Sequence, residues 1–109
     1  MRIDVRIEHR YPEALPFLQR HGADTLAVLH DLLASAEVRD GKPIVQKSTR
    51  RIAEDLFISK DTVHRRLRQL HRAGVIQLVA TATAFEPPTY TVDLTGTGIA
   101  LTSDRPRSI

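Results

Sequence analysis

Basic side chains at helical spacing are the feature of this sequence best suited to chemistry. Residues 42–72 contain nine Lys or Arg and three Asp or Glu, a balance of nine minus three, or +6, whereas the whole 109-residue chain carries +3. On a helical wheel of residues 60–72, Arg65, Arg68 and Arg72 fall on one side. A row of guanidinium groups binds a polyanion through charge and paired N–H donors. The pattern therefore indicates an acidic partner, and the alternative is a solvated basic face with no partner.

The basic helix needs a second helix to position it. Ile52, Ala53 and Leu56 recur at helical spacing shortly before it. Ser48 or Thr49 is suited to cap the start of this preceding helix, because a side-chain oxygen there can accept from a free backbone amide. The sequence therefore predicts two short helices in succession over residues 48–74.

The basic helix has clear boundaries and one apolar edge. After an apolar turn at Phe57 and Ile58, Ser59 is the expected N-cap. Asp61 lies in the first turn, where a negative charge interacts favourably with the helix dipole. Gly74 is expected to end the helix as the residue beyond the cap. The apolar edge, which must be buried, consists of Val63, Leu67 and Leu70.

A strand and two helices are expected before this pair. Residues 2–10 alternate apolar and charged side chains, which predicts a half-buried strand. The strand either covers a sheet edge of its own domain or pairs across a dimer, and we marginally favour the dimer. A short helix opens at Pro12, and a longer one, capped by Asp24 or Thr25, runs to about Glu37. The longer helix has an apolar stripe suited to pack against the helix pair, formed by Leu26, Leu29, Leu32 and Leu33.

Extended segments flank the helix pair. Asp40-Gly41 predicts a turn before a short strand at residues 44–46. After the basic helix, residues 76–83 and 89–94 alternate with a period of two. Phe85-Glu86-Pro87-Pro88 separates them and cannot continue a strand ladder, since proline lacks an N–H donor. The two strands therefore predict a β-hairpin.

The helix pair resembles the helix-turn-helix of winged-helix DNA-binding regulators, in particular the broad GntR-like and MarR-like groups. The resemblance implies an α+β fold, mainly α: a winged helix-turn-helix at residues 48–74 with a C-terminal β-hairpin wing at 75–94, here with an extra N-terminal strand at 1–10. It also implies double-stranded DNA as the partner, with the basic helix in the major groove. We expect a transcriptional regulator or repressor that acts as a homodimer. The matching residues are Ile52-Ala53, Ser59, Thr62-Val63, Leu67, Leu70 and Gly74-Val75-Ile76.

DNA binding divides the candidate residues into two groups. Bidentate donors on the exposed side of the recognition helix match the acceptors of guanine, and hydroxyl groups or amides at the start of the preceding helix suit phosphate oxygens. The residues expected at base edges are Lys60, Arg65 and Arg68, flanked by Thr62 and His64. Those expected at phosphates are Ser48, Thr49, Arg50 and Arg72. Arg66, beside the apolar edge, is expected to pair with Glu54 or Asp55.

Two segments depart from these families. The wing tip carries Glu86 and two prolines where wings usually carry Arg or Lys, so DNA contact by the tip is not carried over, and the tip can equally bind a protein partner. Residues 94–101 resemble the segment that begins a long dimerisation helix in MarR-like proteins. Gly96 and Gly98 disfavour helix there by about 1 kcal/mol each relative to alanine. MarR-type dimerisation and its ligand pocket are therefore not expected.

Composition and missing motifs argue against several classes of function. The chain has no cysteine, which excludes a disulfide scaffold and thiolate chemistry. No apolar run approaches the roughly 20 residues of a membrane helix. His64 and His71 lie about 10 Å apart along one helix, too far to share a metal ion. With no phosphate-binding loop or nucleophile elbow either, we expect no enzyme activity, metal, cofactor or membrane partner.

The length suits one domain, which we place at residues 1–102, followed by a disordered tail at 103–109. We expect the protein in the cytoplasm, associated with the nucleoid. Two alternatives stay open. One is a plasmid or phage DNA-binding factor in replication, partition or copy control. The other is a winged-helix module that binds another protein through its hairpin and its N-terminal strand.

Overall fold

The computed structural model describes residues 5–9 and 14–103. The architecture of these residues is α+β and mainly helical, with a β-hairpin directly after the last helix, which confirms the expected winged helix-turn-helix. None of the helices in these residues is long and apolar enough to cross a bilayer. The elements, in chain order, are β1 (Val5–His9), α1 (Ala14–His21), α2 (Ala23–Ala34), β2 (Glu37–Arg39), β3 (Lys42–Gln46), α3 (Thr49–Leu56), α4 (Lys60–Arg72), β4 (Ile76–Ala80), β5 (Thr89–Val92) and β6 (Ile99–Ser103).

Serine caps begin both helices of the helix-turn-helix. Ser48 Oγ accepts a hydrogen bond of 3.1 Å from the Arg51 amide at the start of α3. Ser59 Oγ accepts one of 3.1 Å from the Thr62 amide at the start of α4. Each bond satisfies an amide that has no partner within its own helix. Both caps stand where the sequence placed them, so local chemistry fixes the start of the basic helix.

The end of α4 is equally well defined. Gly74 has φ of +76°, in the left-handed region. The Val75 amide donates to the Leu70 carbonyl at 3.0 Å, and the Gly74 amide donates to the His71 carbonyl at 3.0 Å. These two bonds form a Schellman motif, which satisfies the last carbonyls of the helix and turns the chain into β4.

The apolar edge of α4 is buried as expected. Val63, Leu67 and Leu70 are all buried, and they belong to one core with residues of α2, α3 and the sheet. Removing a fully buried leucine side chain typically costs about 2–5 kcal/mol, so this edge determines which side of α4 faces solvent. The main α2 contributors are Val28, Leu29, Leu32 and Leu33, while Leu26 is only partly buried.

Helix α2 differs from the expectation at both ends. It begins after Gly22 with no side-chain cap, Asp24 lies in its first turn, and Thr25 is buried. It ends at Ala34 rather than near Glu37. The following residues form β2 because Asp40 and Gly41 both adopt positive φ, of 52° and 77°, as a two-residue hairpin turn requires. The Asp40-Gly41 turn therefore places residues 37–39 in a strand, although their spacing would also allow the helix to continue.

The four-stranded sheet has the order β2-β3-β5-β4 and is antiparallel at each pair. The predicted short strand at 44–46 is confirmed within β3. The wing strands are shorter than expected: β4 ends at Ala80, and its pairing with β5 is irregular between Leu78 and Ala80. Of β4, only Ile76 is buried.

The N-terminal strand pairs within its own chain. β1 is antiparallel to β6, from Val5 opposite Ser103 to His9 opposite Ile99, in a separate two-stranded sheet. β1 thus has the within-domain role, and its pairing across a dimer stays a prediction. β6 was not predicted from the sequence. Gly96 and Gly98 disfavour a helix in this segment but do not indicate a strand. The first residues of the predicted strand, the helix start at Pro12 and the tail beyond Ser103 lie outside the described residues.

Candidate nucleic-acid interface

The side of α4 opposite its buried edge is open to solvent and strongly basic. The helix carries five Lys or Arg and one Asp, five minus one, or +4. In the part of the chain that the structure describes, no α4 residue takes part in an ion pair. The charge is therefore available to an external anion. The exposed residues are Lys60, Asp61, His64, Arg65, Arg68, His71 and Arg72.

Three arginines of this face line one shallow depression. Arg65, Arg68 and Arg72 surround it together with Gln69. Arg65 donates to Thr62 Oγ1 at 3.4 Å, a long and therefore weak hydrogen bond that leaves most of its donors free. Guanidinium groups held side by side repel one another until an anion lies between them, so the depression suits a phosphate or an acceptor-rich base edge.

The start of α3 presents a second set of donors. Ser48 Oγ accepts from the Arg51 amide, so its own O–H proton remains free to donate. Thr49 is the first residue of the helix and is half-buried. The backbone amides of this first turn have no partner within the helix. Arg50 is exposed and its Nε lies 3.8 Å from Glu54 Oε1, an exposed pair that holds the arginine only weakly. The structure thus places these three residues together at one helix N-terminus.

Lys47 is not one of the exposed basic residues, although it is counted in the +6 charge of residues 42–72. Its ammonium lies 2.8 Å from Asp31 Oδ2 and 2.7 Å from Asp55 Oδ2, and it donates to Ser35 Oγ at 2.9 Å. The side chain is only 8% exposed. Arg51 Nε also lies 3.4 Å from Asp55 Oδ1. Two of the counted positive charges therefore have carboxylate partners within the chain, Lys47 in the interior and Arg51 at the surface.

The Lys47 cluster joins α2 to α3. Burial raises the pKa of Asp31, although the Lys47 ammonium opposes this rise. The hydrogen bond from Lys47 lowers the pKa of Asp55. Burial alone would lower the pKa of Lys47, but its two carboxylate neighbours together outweigh that effect and raise it. The lysine thus remains charged at neutral pH and fixes the angle at which the helix-turn-helix meets α2.

Gln69 links α4 to the first two helices. Its Oε1 accepts from Thr25 Oγ1 at 3.0 Å and from an Arg66 guanidinium nitrogen at 3.0 Å. Its Nε2 donates to the His21 carbonyl at 3.3 Å and lies 3.0 Å from His21 Nδ1. Arg66 therefore pairs with an amide of its own helix rather than with an acidic residue of α3. This network was not predictable from the sequence, because a glutamine on a helix flank does not identify its partner.

The wing tip is built from its own hydrogen bonds and carries no cation. The Thr83 amide donates to the Glu86 carbonyl at 2.8 Å, and Thr83 Oγ1 accepts from the amides of Phe85 and Glu86 at 3.2 and 2.9 Å. Phe85 is 95% exposed at the tip. No Lys or Arg occurs in residues 75–94. The tip therefore offers an aromatic ring beside a carboxylate rather than a phosphate-binding surface.

A large concave surface lies away from the basic face. It is a groove of about 1430 Å³ bordered by the β2–β3 hairpin, β5 and β6, and its charged lining includes both signs, with Glu37, Lys42 and Asp93. A groove of mixed charge has no preference for a polyanion. We therefore place the candidate interface on α4 and the start of α3.

Residues 46–77 match a family model described as winged helix-turn-helix DNA-binding. The matched segment begins in β3 and ends in β4, so it contains α3, α4 and the serine caps of both helices. No curated protein and no solved structure matches the chain. Over residues 46–77 the chain is thus similar to winged helix-turn-helix DNA-binding domains.

Proposed function

We propose that this protein binds double-stranded DNA at specific sequences and regulates transcription, acting as a repressor. The observation that carries the proposal is the uncompensated positive face of α4, whose exposed residues carry four Lys or Arg and one Asp, four minus one, or +3, and, among the described residues, form no ion pair. An α-helix fits the major groove of B-DNA, and cationic side chains on its outer face reach base edges and phosphates there.

Within this proposal α4 supplies sequence readout. Lys60, Arg65 and Arg68 are exposed and can donate to O6 and N7 of guanine. Thr62 and His64, on the flanks, contact a base edge or a thymine methyl group. Because the buried edge and the Ser59 cap hold the helix, these side chains approach the groove from a fixed backbone.

The backbone of the DNA is held by a second set of residues. The free hydroxyl proton of Ser48, the first-turn amides near Thr49 and the weakly held guanidinium of Arg50 suit one phosphate at the α3 N-terminus. Arg72, at the far end of α4, suits another. Phosphate contacts fix the position of the protein on the duplex without selecting a sequence.

Two copies are needed for a useful level of specificity. α4 has 13 residues and is therefore about 20 Å long, which spans roughly six base pairs. So short a site occurs often in any genome, and pairing two half-sites through a homodimer raises the selectivity. One edge of β1 is already paired with β6 of its own chain, so a dimer would have to use the other edge of this sheet or a different surface. Action on the genome also implies a cytoplasmic, nucleoid-associated protein.

The experiment is a salt series of affinities for a duplex whose sequence has been selected by the protein. Contacts to about six phosphates predict a loss of roughly 10³-fold in affinity between about 50 and 200 mM salt. Arg65→Ala and Arg68→Ala should each reduce the preference over random duplex, whereas Thr49→Ala should weaken binding to both equally. Arg39→Ala, an exposed arginine of the β2–β3 hairpin, is the matched control and should change neither. Equal affinity of all these variants contradicts the proposal.

The wing tip favours a second candidate, a protein-binding module. Phe85 is 95% exposed and Leu78 and Val79 are also exposed, with Glu86 as the one charge of the tip. A partner with an apolar pocket bordered by basic residues would fit this surface. A plasmid or phage factor for replication, partition or copy control would share the DNA contacts, and the selected site would then lie at a replication origin or partition site. Phe85→Ser should leave DNA affinity unchanged if the wing serves a protein partner.

A further inference from the structure

Phe57, at the turn between α3 and α4, is an aromatic residue with no role in the core. Its side chain is 95% exposed. Its two neighbours behave in the opposite way, since Leu56 and Ile58 are partly buried and pack against the core. The turn is therefore anchored on both sides of Phe57, and the ring is directed away from the protein.

The backbone conformation of Phe57 is also unusual for a phenylalanine. It adopts φ of +55° and ψ of +41°, the left-handed conformation that ends α3. Glycine is the residue that this conformation favours, and asparagine is the usual second choice. A large aromatic side chain here adds strain and buries no apolar surface within the described chain. Folding alone therefore gives no reason for a phenylalanine at this position.

The location of Phe57 identifies the surface that it can serve. It stands two residues before Ser59, the N-cap of α4, and three before Lys60, which is exposed in the first turn of α4. This is the end of the recognition helix that enters the groove in the proposed function. Lys60 and Asp61 both lie in this first turn, and exposed arginines follow on the same helix, so the charge of α4 next to the turn is positive overall and favours a polyanionic surface.

We propose that Phe57 is an apolar DNA contact, packing its ring against a thymine methyl group or a deoxyribose at the edge of the groove that receives α4. The inference rests on the proposed DNA binding and deepens it. An apolar contact releases no counterions, so it strengthens binding without changing the dependence of affinity on salt. This separates Phe57 from Arg50 and Arg72, the phosphate contacts of the proposed function, whose loss must make that dependence shallower.

The experiment compares Phe57→Gly, Phe57→Asn and Phe57→Leu with the wild-type protein on the selected duplex. Glycine and asparagine suit the left-handed backbone, so both variants should unfold at or above the wild-type temperature. They should nevertheless bind DNA about tenfold more weakly, with an unchanged salt slope, whereas Phe57→Leu should retain most of the affinity. Uracil in place of thymine, one position at a time, distinguishes the two contacts: a methyl contact loses affinity at one position in the wild type only, and a sugar contact at none.

Failure of the inference and failure of the proposed function give different results. If the wild-type protein does not bind duplex DNA in a salt-dependent way, the proposed function fails and this contact fails with it. If the wild type binds and Phe57→Gly and Phe57→Asn bind equally well, only the Phe57 contact is overturned. The Phe57 contact is also overturned if these variants bind more weakly because they form a smaller assembly, as measured by light scattering. Phe57 would then contact protein rather than DNA.

Discussion

Thr25 Oγ1 of α2 donates a 3.0 Å hydrogen bond to Gln69 Oε1 of α4. Thr25 is fully buried, and the same Gln69 oxygen also accepts from Arg66. The bond therefore connects the buried side of the recognition helix to the helix beneath it. It sets the rotation of α4 about its own axis, on which the direction of Arg65 and Arg68 depends.

Replacing Gln69 by alanine should destabilise the protein by about 2 kcal/mol, because the hydroxyl of Thr25 and the guanidinium of Arg66 lose a partner where water does not freely replace it. Chemical denaturation measures the change. Gln77→Ala, at an exposed glutamine of β4, is the matched control and should change stability by less than about 0.5 kcal/mol. Equal effects of the two substitutions would show that the Gln69 network does not support the helix.

Replacing Lys47 by methionine should cost about 3 kcal/mol of stability, since Asp31 and Asp55 are left close together without their shared cation. The partial exposure of Asp55 keeps the effect from being larger. Urea denaturation provides the value, and Lys42→Met, at an exposed lysine of β3, serves as the control. A Lys47→Met protein as stable as the control would mean that the cluster contributes nothing to the angle between α2 and α3.

Replacing Tyr90 by phenylalanine should reduce the loss of stability at alkaline pH. Burial raises the pKa of Tyr90 above its ordinary value of 10.0, because the phenolate is poorly solvated within the sheet. A group whose folded-state pKa is raised contributes stability that is complete below pH 10 and declines as the pH passes its higher folded-state value. Unfolding free energies at pH 8 to 12 should decline less for Tyr90→Phe than for the wild type. If stability declined equally with pH in both proteins, Tyr90 would not be the group responsible. A decline that remains in the variant is expected from Lys47, whose pKa is also raised.

Replacing Gly74 by alanine should lower stability by about 1 kcal/mol. An added Cβ would meet no atom within 4 Å, so the cost arises only from the φ of +76°. Gly74→Asn should cost less, because asparagine tolerates the left-handed region better than alanine. Thermal unfolding checks the order glycine, asparagine, alanine, and a reversed order of the two variants would remove the backbone explanation.

The elements that local chemistry specifies were predictable from the sequence. Ser48, Ser59 and Gly74 act through their own backbone neighbours, so their roles in α3 and α4 follow from residue type and position alone. Val63, Leu67 and Leu70 are buried because their spacing leaves one apolar edge. This is why the exposed face of α4, and with it most of the candidate site, could be located before the fold was known.

What depends on distant partners was not predictable. Lys47 looks like any other basic residue in the sequence, and its burial follows only from Asp31 on another helix. β6 and its pairing with β1 require two segments separated by nearly the whole chain, and neither segment encodes the other. Likewise, Glu37 continues a helical spacing but lies in a strand, because the Asp40-Gly41 turn folds it against Ile44.

Protection of guanine N7 from methylation tests most directly whether α4 reads the major groove. N7 faces the major groove and is an acceptor that Arg65 or Arg68 would occupy. The wild-type complex should protect guanines within its selected site, and Arg65→Ala or Arg68→Ala should restore methylation at one of them while leaving the others protected. A stable complex in which every guanine N7 remains reactive would contradict the placement of α4 in the groove.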